Sequence, residues 1–104
     1  MNSATDYEFE WDDAKALANL DKHKVAFSDA MTVLRDPLAM NLFDNDHSDD
    51  EDRWITLGTA SNGKLLIVVH TFTNLSATSA LVRIISAREP TRNERAKYEN
   101  NPKP

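Results

Sequence analysis

The chain has 104 residues, of which 40% are hydrophobic and 28% are charged; it contains no cysteine and carries a net charge of -5. The lack of cysteine excludes disulfides, thiolate zinc sites and cysteine nucleophiles, and it fits a reducing, cytoplasmic compartment. The negative charge argues against a protein that coats nucleic acid by bulk electrostatics, and no apolar run approaches the roughly 20 residues that span a bilayer. Because this length supports one hydrophobic core, we predict a single domain over residues 1–104, with a core at about 7–99 and a frayed C-terminal tail.

The N-terminal segment alternates apolar and acidic residues from Tyr7 to Trp11. This period of two predicts a strand with one buried face. Asp12 is a suitable N-cap for the helix that follows, because its carboxylate can accept from a backbone N–H of the first turn. Apolar residues then recur at helical spacing among charged ones, and we predict that this helix ends near His23.

A second, shorter helix is predicted from Ser28, an N-cap candidate, to Leu34. Pro37 must terminate it, because the residue before a proline disfavours the helical region. Leu38–Phe43 is predicted to be a short strand, and the polar, acid-rich segment Asp44–Asp52 is predicted to be a loop.

The middle of the chain carries a strong hairpin signal. Two strand-like runs, Trp54–Gly58 and Lys64–Phe72, flank a turn with the sequence Ser-Asn-Gly, and Asn-Gly between such runs is typical of a β-hairpin. The run Leu65–Val69 is apolar at consecutive positions, which predicts a central strand covered on both faces.

The C-terminal part is predicted to contain a strand over Ala80–Ala87, reached through a loop over Thr73–Ser79. Thr91 and Glu94 form a T-x-x-E capping box, which predicts a last helix extending to about Tyr98. The order of strand, two helices, antiparallel strands and helix predicts an α+β fold with an antiparallel sheet.

Several kinds of chemistry are excluded by the motifs. The acidic segment begins like a calcium loop at Asp44, but Asp49 stands where that loop needs glycine and Ile55 where it needs glutamate. The three histidines lack metal-ligand spacing, both glycines fall in the predicted hairpin, and no G-x-S-x-G elbow is present. We therefore expect no metal, no cofactor, no nucleotide-triphosphate loop and no serine hydrolase site.

Charge is distributed unevenly. The segment Arg83–Lys97 carries five basic residues against two acidic ones, whereas Glu8–Asp13 and Asp44–Asp52 contain no basic residue. Arginines on a strand end and a helix can converge on phosphates, which the planar guanidinium binds bidentately. The alternative interpretation is that these arginines form a solvated helix face. The basic run Lys22–Lys24 can likewise be explained as the end of a helix, where positive side chains complement the helix dipole.

These motifs together resemble the BrnT toxins of type II toxin–antitoxin modules. The resemblance runs from about Tyr7 to Glu99 and rests on three motifs in the family's order. They are F-x-W-D at Phe9–Asp12, K-H-x-V-x-F at Lys22–Phe27 and R-I-I-S-A-R at Arg83–Arg88.

The resemblance implies a RelE/ParE-like fold and a metal-independent ribonuclease that arrests translation. It also implies a BrnA-type antitoxin encoded nearby, which contacts operator DNA on behalf of the complex. We expect a hetero-tetramer with two copies of each chain and no membrane association. Lys24 stands where the family usually has glycine, which predicts a first helix that ends without the usual left-handed cap.

Metal-free RNA cleavage needs a base, an acid and positive charge at the scissile phosphate. We predict six catalytic residues: Lys22, His23, Arg53, Arg83, Arg88 and Tyr98. Three further residues are predicted to bind RNA: Lys24, Arg92 and Arg95. The alternative function is a non-catalytic binding module that acts as a corepressor with its antitoxin or inhibits a protein target.

Overall fold

A computed structural model describes residues 6–47 and 51–101, so the predicted frayed tail lies largely outside the described residues. The elements in chain order are β1 (Asp6–Glu10), α1 (Asp13–His23), α2 (Phe27–Ala30), a 3₁₀ helix (Met31–Arg35), β2 (Met40–Phe43), a 3₁₀ turn (Asn45–His47), β3 (Arg53–Thr59), β4 (Leu65–Thr71), β5 (Thr73–Asn74), β6 (Ser79–Arg88) and α3 (Arg92–Asn100).

The strands form one sheet in the order β1-β6-β4-β3-β2, with the short β5 also pairing with β6. Every pair is antiparallel except β1 with β6, which is parallel. The sheet is therefore mixed, and the prediction of an antiparallel sheet is wrong. A parallel pair needs a long crossover, and here the whole intervening chain serves as that crossover.

The first helix begins as predicted and ends differently. The backbone N–H of Lys15 donates to the Asp12 carboxylate over 3.0 Å, which confirms the N-cap. At the other end Lys24 adopts φ 59° and ψ 29°, and its N–H donates to the carbonyl of Leu20. The prediction of an end without a left-handed cap is wrong, because Lys24 adopts that conformation despite its side chain.

The second helix does not use its predicted cap. It begins at Phe27 after Ala26, which makes no side-chain capping bond, and Ser28 lies inside the helix. Phe27 is 2% exposed, so burial of the ring fixes this helix start more strongly than a serine cap would. From Met31 the chain continues as a 3₁₀ helix and stops before Pro37, as predicted.

The central hairpin is confirmed, with β3 and β4 in continuous antiparallel register. Gly63 adopts φ 86°, and its N–H donates to the carbonyl of Ala60, so the turn is a three-residue loop. β4 is almost entirely buried in the middle of the sheet, as predicted. The predicted loops differ in detail: Thr73–Ser79 includes β5, and the described part of Asp44–Asp52 includes a 3₁₀ turn.

The sheet separates two apolar clusters. On one side, here called the helix face, Leu66, Val68 and Val82 pack with the buried residues of α2 and the 3₁₀ helix. On the other side, here called the open face, a smaller cluster centred on Leu57 and Ile67 packs against α3. Most of the core therefore lies between the sheet and the N-terminal helices.

Candidate active site

Two predicted arginines lie on the open face by simple strand alternation. Arg53 stands two residues before Ile55 on β3, and Ile55 belongs to the open-face cluster. Arg88, at the end of β6, is directly opposite Ile67 of the same cluster. Because paired residues in a sheet point to the same side, both arginine side chains extend from this face.

Arg83 reaches the same face only because β6 is irregular. It stands between Val82 and Ile84, which are at most 1% exposed and belong to the helix-face core. The Arg83 side chain therefore points to the open face. Arg83 and Arg88 are five residues apart, a spacing that puts them on opposite faces of a regular strand. Between β4 and β6, however, His70 of β4 pairs with Ile84 while Val69 pairs with Ser86. The residue between Ile84 and Ser86 is therefore extra in β6 and forms a β-bulge.

The bulge brings three arginines together on one surface. Arg53 pairs with Thr71 of β4, and the Thr71 hydroxyl accepts the backbone N–H of Arg83 over 3.2 Å. Arg53 and Arg83 therefore flank Thr71, while Arg88 lies opposite Ile67, about 13 Å further along the sheet at the usual rise per residue. The three side chains form a cationic row across β3, β4 and β6.

Carboxylates hold two of these arginines in place. Arg83 forms an ion pair with Glu51, and the two side chains are 41% and 42% exposed. Arg88 is held by Glu94 through two bonds of 2.8 and 3.0 Å, with its own side chain 42% exposed. These exposures leave both guanidinium groups accessible to a ligand from solvent.

Glu94 has two tasks at once. Its carboxylate accepts the backbone N–H of Thr91 over 2.8 Å, which completes the predicted capping box. The bond from Arg88 and then the bond from Thr91 lower the pKa of Glu94 from 4.5 to about 2. Glu94 in turn raises the pKa of Arg88. The pair is therefore fully ionised at neutral pH and connects α3 to the end of β6.

Tyr98 belongs to a separate network. Its hydroxyl donates to Asp36 over 2.7 Å and accepts from the Thr59 hydroxyl over 3.1 Å, and the same Asp36 oxygen accepts the Thr59 backbone N–H. Burial and the neighbouring Asp36 raise the pKa of Tyr98. The phenol thus keeps its proton at neutral pH and joins α3 to the end of β3.

The basic run at the end of α1 lies in the helix layer, on the other side of the sheet. Asn19, one turn before His23, is 6% exposed and donates to the carbonyls of Val25 and Ala87, both over 2.9 Å. It also accepts the Ala87 N–H over 3.0 Å. The end of α1 is thereby fixed beside the residue that precedes Arg88. The predicted residues of this run are Lys22, His23 and Lys24.

The remaining predicted residues, Arg92 and Arg95, are exposed on α3. Three acidic partners of the candidate site were not predicted from the sequence: Glu51, Glu94 and Asp36. Thr91 and Glu94 gave a local capping signal, but an ion pair with Arg88 depends on how α3 packs, which local spacing does not reveal. The roles of all predicted site residues remain predictions.

One histidine is removed from solvent altogether. His70 is 0% exposed on β4; its Nδ1 donates to the carbonyl of Thr71 and its Nε2 lies 2.8 Å from the Thr56 hydroxyl. Burial lowers the pKa of His70. This ring is therefore neutral at physiological pH, and its role is to form hydrogen bonds in the interior of the protein. Within the part of the chain that the structure describes, no group of three or more His, Cys, Asp and Glu residues is arranged to hold a metal ion.

Comparisons with known proteins agree with this fold. The family model described as "Ribonuclease toxin, BrnT, of type II toxin-antitoxin system" matches residues 11–94. The crystal structure of the Brucella abortus ribonuclease toxin BrnT is similar, with a TM-score of 0.55 and 19% identity over 81% of this chain and 96% of that chain. No curated protein matches. None of the helices in residues 6–47 and 51–101 is long and apolar enough to cross a membrane. The family match covers most of the sequence, and the chain therefore belongs to the BrnT family of ribonuclease toxins from type II toxin–antitoxin systems.

Proposed function

We propose that this toxin is a metal-independent endoribonuclease that arrests translation by cleaving RNA on the open face of its sheet. The observation that carries the proposal is the β-bulge between the two arginines of the R-I-I-S-A-R motif. It brings Arg83 and Arg88 to one accessible face, beside Arg53. Bulges are over-represented next to active sites, where they redirect a side chain.

In the proposed reaction the 2′-hydroxyl of RNA attacks the adjacent phosphorus as it loses its proton. The bond from phosphorus to the 5′ oxygen breaks, and that oxygen takes up a proton. Negative charge grows on the phosphate oxygens in between, so fixed positive charge beside them lowers the barrier. Arg83 and Arg88 are suited to this role, because each guanidinium has five N–H groups and its carboxylate partner occupies at most two.

His23, with Lys22 as the alternative, stays the predicted proton-transfer group, since imidazole exchanges protons near neutral pH. Asn19 fixes this end of α1 beside Ala87, which lies on the helix face, whereas Arg88 lies on the open face. The position of His23 therefore supports its role less than the positions of Arg83 and Arg88 support theirs. For Tyr98 the bonds to Asp36 and Thr59 favour a positioning role over proton transfer. The exposed side chains of Arg92 and Arg95 on α3 are proposed to contact the RNA backbone electrostatically. Lys24 was predicted to bind RNA as well, but it lies on the helix side of the sheet, away from the proposed RNA surface.

The partner of the proposed nuclease is a BrnA-type antitoxin that binds it in a hetero-tetramer and alone contacts operator DNA. Because the proposed substrate is cellular RNA, the toxin is expected to act in the cytoplasm. A gel-shift assay at physiological salt is expected to detect operator binding by the complex and none by the isolated toxin.

The test of the active site is the loss of cleavage when an arginine is removed. We expect Arg83→Ala and Arg88→Ala each to lose about 2–4 kcal/mol of transition-state stabilisation, the range for one lost charge donor. Cleavage of a labelled RNA by purified toxin, with EDTA present, measures this loss. Arg88→Lys keeps the charge without the bidentate geometry and is expected to be intermediate.

Arg35→Ala is the matched control, because this exposed arginine lies in the 3₁₀ helix on the other side of the sheet. Circular dichroism establishes that each variant is folded. Folded Arg83→Ala and Arg88→Ala variants with full activity would contradict the assignment. If the unaltered chain leaves RNA intact, the non-catalytic binding module becomes the better description.

A further inference from the structure

The two edges of the sheet are protected very differently. The outer strand β1 carries three exposed carboxylates, Asp6, Glu8 and Glu10, and charged side chains discourage another strand from pairing with an edge. The opposite edge strand, β2, contains no charged residue, and its Leu42 is 66% exposed. Within residues 6–47 and 51–101, no strand pairs with the outer side of β2.

An apolar cleft of about 310 Å³ adjoins this unprotected edge. It lies on the open face between β2 and α3, and no aromatic side chain lines it. Its walls are apolar apart from Asn41 of β2 and two charged residues of α3. The principal lining residues are Met40, Leu42, Ile55, Ile67, Glu94 and Lys97.

The cleft is continuous with the cationic row. Ile67, in its wall, is the residue directly opposite Arg88, and Glu94 is the carboxylate that holds Arg88. Ile55 stands two residues from Arg53 on the same face. A molecule seated in the cleft would therefore lie against the proposed RNA surface and obstruct it.

The far end of β2 is acidic. The strand leads directly into Asp44, whose N–H donates to the Arg53 carbonyl, and exposed carboxylates of Asp46 and Asp52 follow in the chain. Carboxylates beside an aliphatic cleft repel phosphates and attract lysine and arginine side chains. Together with the lack of aromatic stacking partners, this charge favours a protein segment over a nucleobase as the occupant.

We propose that an extended segment of the antitoxin adds to the outer edge of β2. Alternate aliphatic side chains of that segment fill the cleft, and basic residues at one end of it pair with the carboxylates after β2. Strand addition combines main-chain hydrogen bonds with side-chain pockets in this way. The inference rests on the proposed function for the existence of an antitoxin partner, and it adds the place and the mode of neutralisation.

The decisive variant is Leu42→Lys, because this side chain is mostly exposed and its loss leaves the core intact. The matched control is Leu75→Lys, at another leucine that is 50% exposed but lies in the connection between β5 and β6. The probe is the purified protein encoded beside the toxin gene, titrated calorimetrically into each toxin variant. RNA cleavage is measured for each variant with and without that protein.

We expect Leu42→Lys to weaken antitoxin binding by about tenfold or more while RNA cleavage by the toxin alone is unchanged; Leu75→Lys is expected to match the unaltered chain in both assays. Asp46→Lys is expected to weaken binding less, with an effect that disappears at high salt. Unchanged antitoxin affinity of Leu42→Lys would overturn the inference, and so would impaired cleavage with normal affinity, since the cleft would then serve RNA. If no variant cleaves RNA, the proposed function fails, but the difference in affinity still tests the docking site.

Discussion

The two faces of the sheet use polar groups for different purposes. On the helix face the polar side chains are buried and hydrogen-bonded, as Asn19, Thr56 and His70 illustrate. On the open face Arg83 and Arg88 are paired with carboxylates yet remain about two-fifths exposed. The buried polar groups of the helix face therefore stabilise the fold, whereas the exposed arginines of the open face are the proposed contacts for RNA. Substitutions on the two faces are expected to separate stability from activity.

The largest effect on stability is expected at Asn19, which connects α1 to two other segments through three buried hydrogen bonds. Asn19→Ala leaves the carbonyls of Val25 and Ala87 and the N–H of Ala87 without this partner. We expect this change to lower the free energy of unfolding by about 3–4 kcal/mol. Urea denaturation measures it. The exposed Asn93→Ala on α3 is the control and is expected to change stability by less than about 0.5 kcal/mol. A loss for Asn19→Ala no greater than that of the control would show that α1 is not anchored through this amide.

A smaller effect is expected on the open face at Glu94. Its pKa is lowered to about 2 in the folded chain, so the unfolded chain binds the proton more tightly. Ionised Glu94 therefore stabilises the fold at pH values above its ordinary pKa of 4.5. This contribution is lost as the pH falls from 4.5 towards 2. We expect Glu94→Gln to cost about 1 kcal/mol at neutral pH, as for a partly exposed ion pair.

The measurement is unfolding free energy across pH 2–7, where Glu94→Gln is expected to show a weaker dependence than the unaltered chain. Glu99→Gln, at an exposed carboxylate of the same helix, is the control. Curves for Glu94→Gln and the unaltered chain that run parallel through this range would refute the role of the pair.

The smallest effect is a gain, at the end of α1. Lys24 occupies the left-handed region at φ 59°, which costs a residue with a Cβ about 1–2 kcal/mol. Glycine avoids that cost but loses more backbone entropy on folding. We expect Lys24→Gly to stabilise the fold by about 0.5–1 kcal/mol, measured by thermal denaturation. Lys24→Ala removes the same charge and keeps the strain, so equal stabilities of the two variants would contradict this explanation.

Some features of the fold were predictable because neighbouring residues determine them. Asp12 caps α1 and Thr91 caps α3 through bonds to residues three positions away. The hairpin depends on a turn whose Gly63 adopts a positive φ. The predicted Ser28 cap rested on the same kind of local signal and was wrong, because the helix begins at the buried Phe27.

The candidate site was predictable only as a set of residue types. The sequence by itself determined the caps, the hairpin, the buried central strand and the cationic C-terminal segment, because each depends on side chains within a few positions of one another. Tertiary structure decided that β1 pairs in parallel with β6, that Glu51 reaches Arg83 and that a bulge turns Arg83 and Arg88 to one face. Strand partners and bulges minimise the free energy of the whole sheet, in which hydrophobic burial on both faces outweighs local preference.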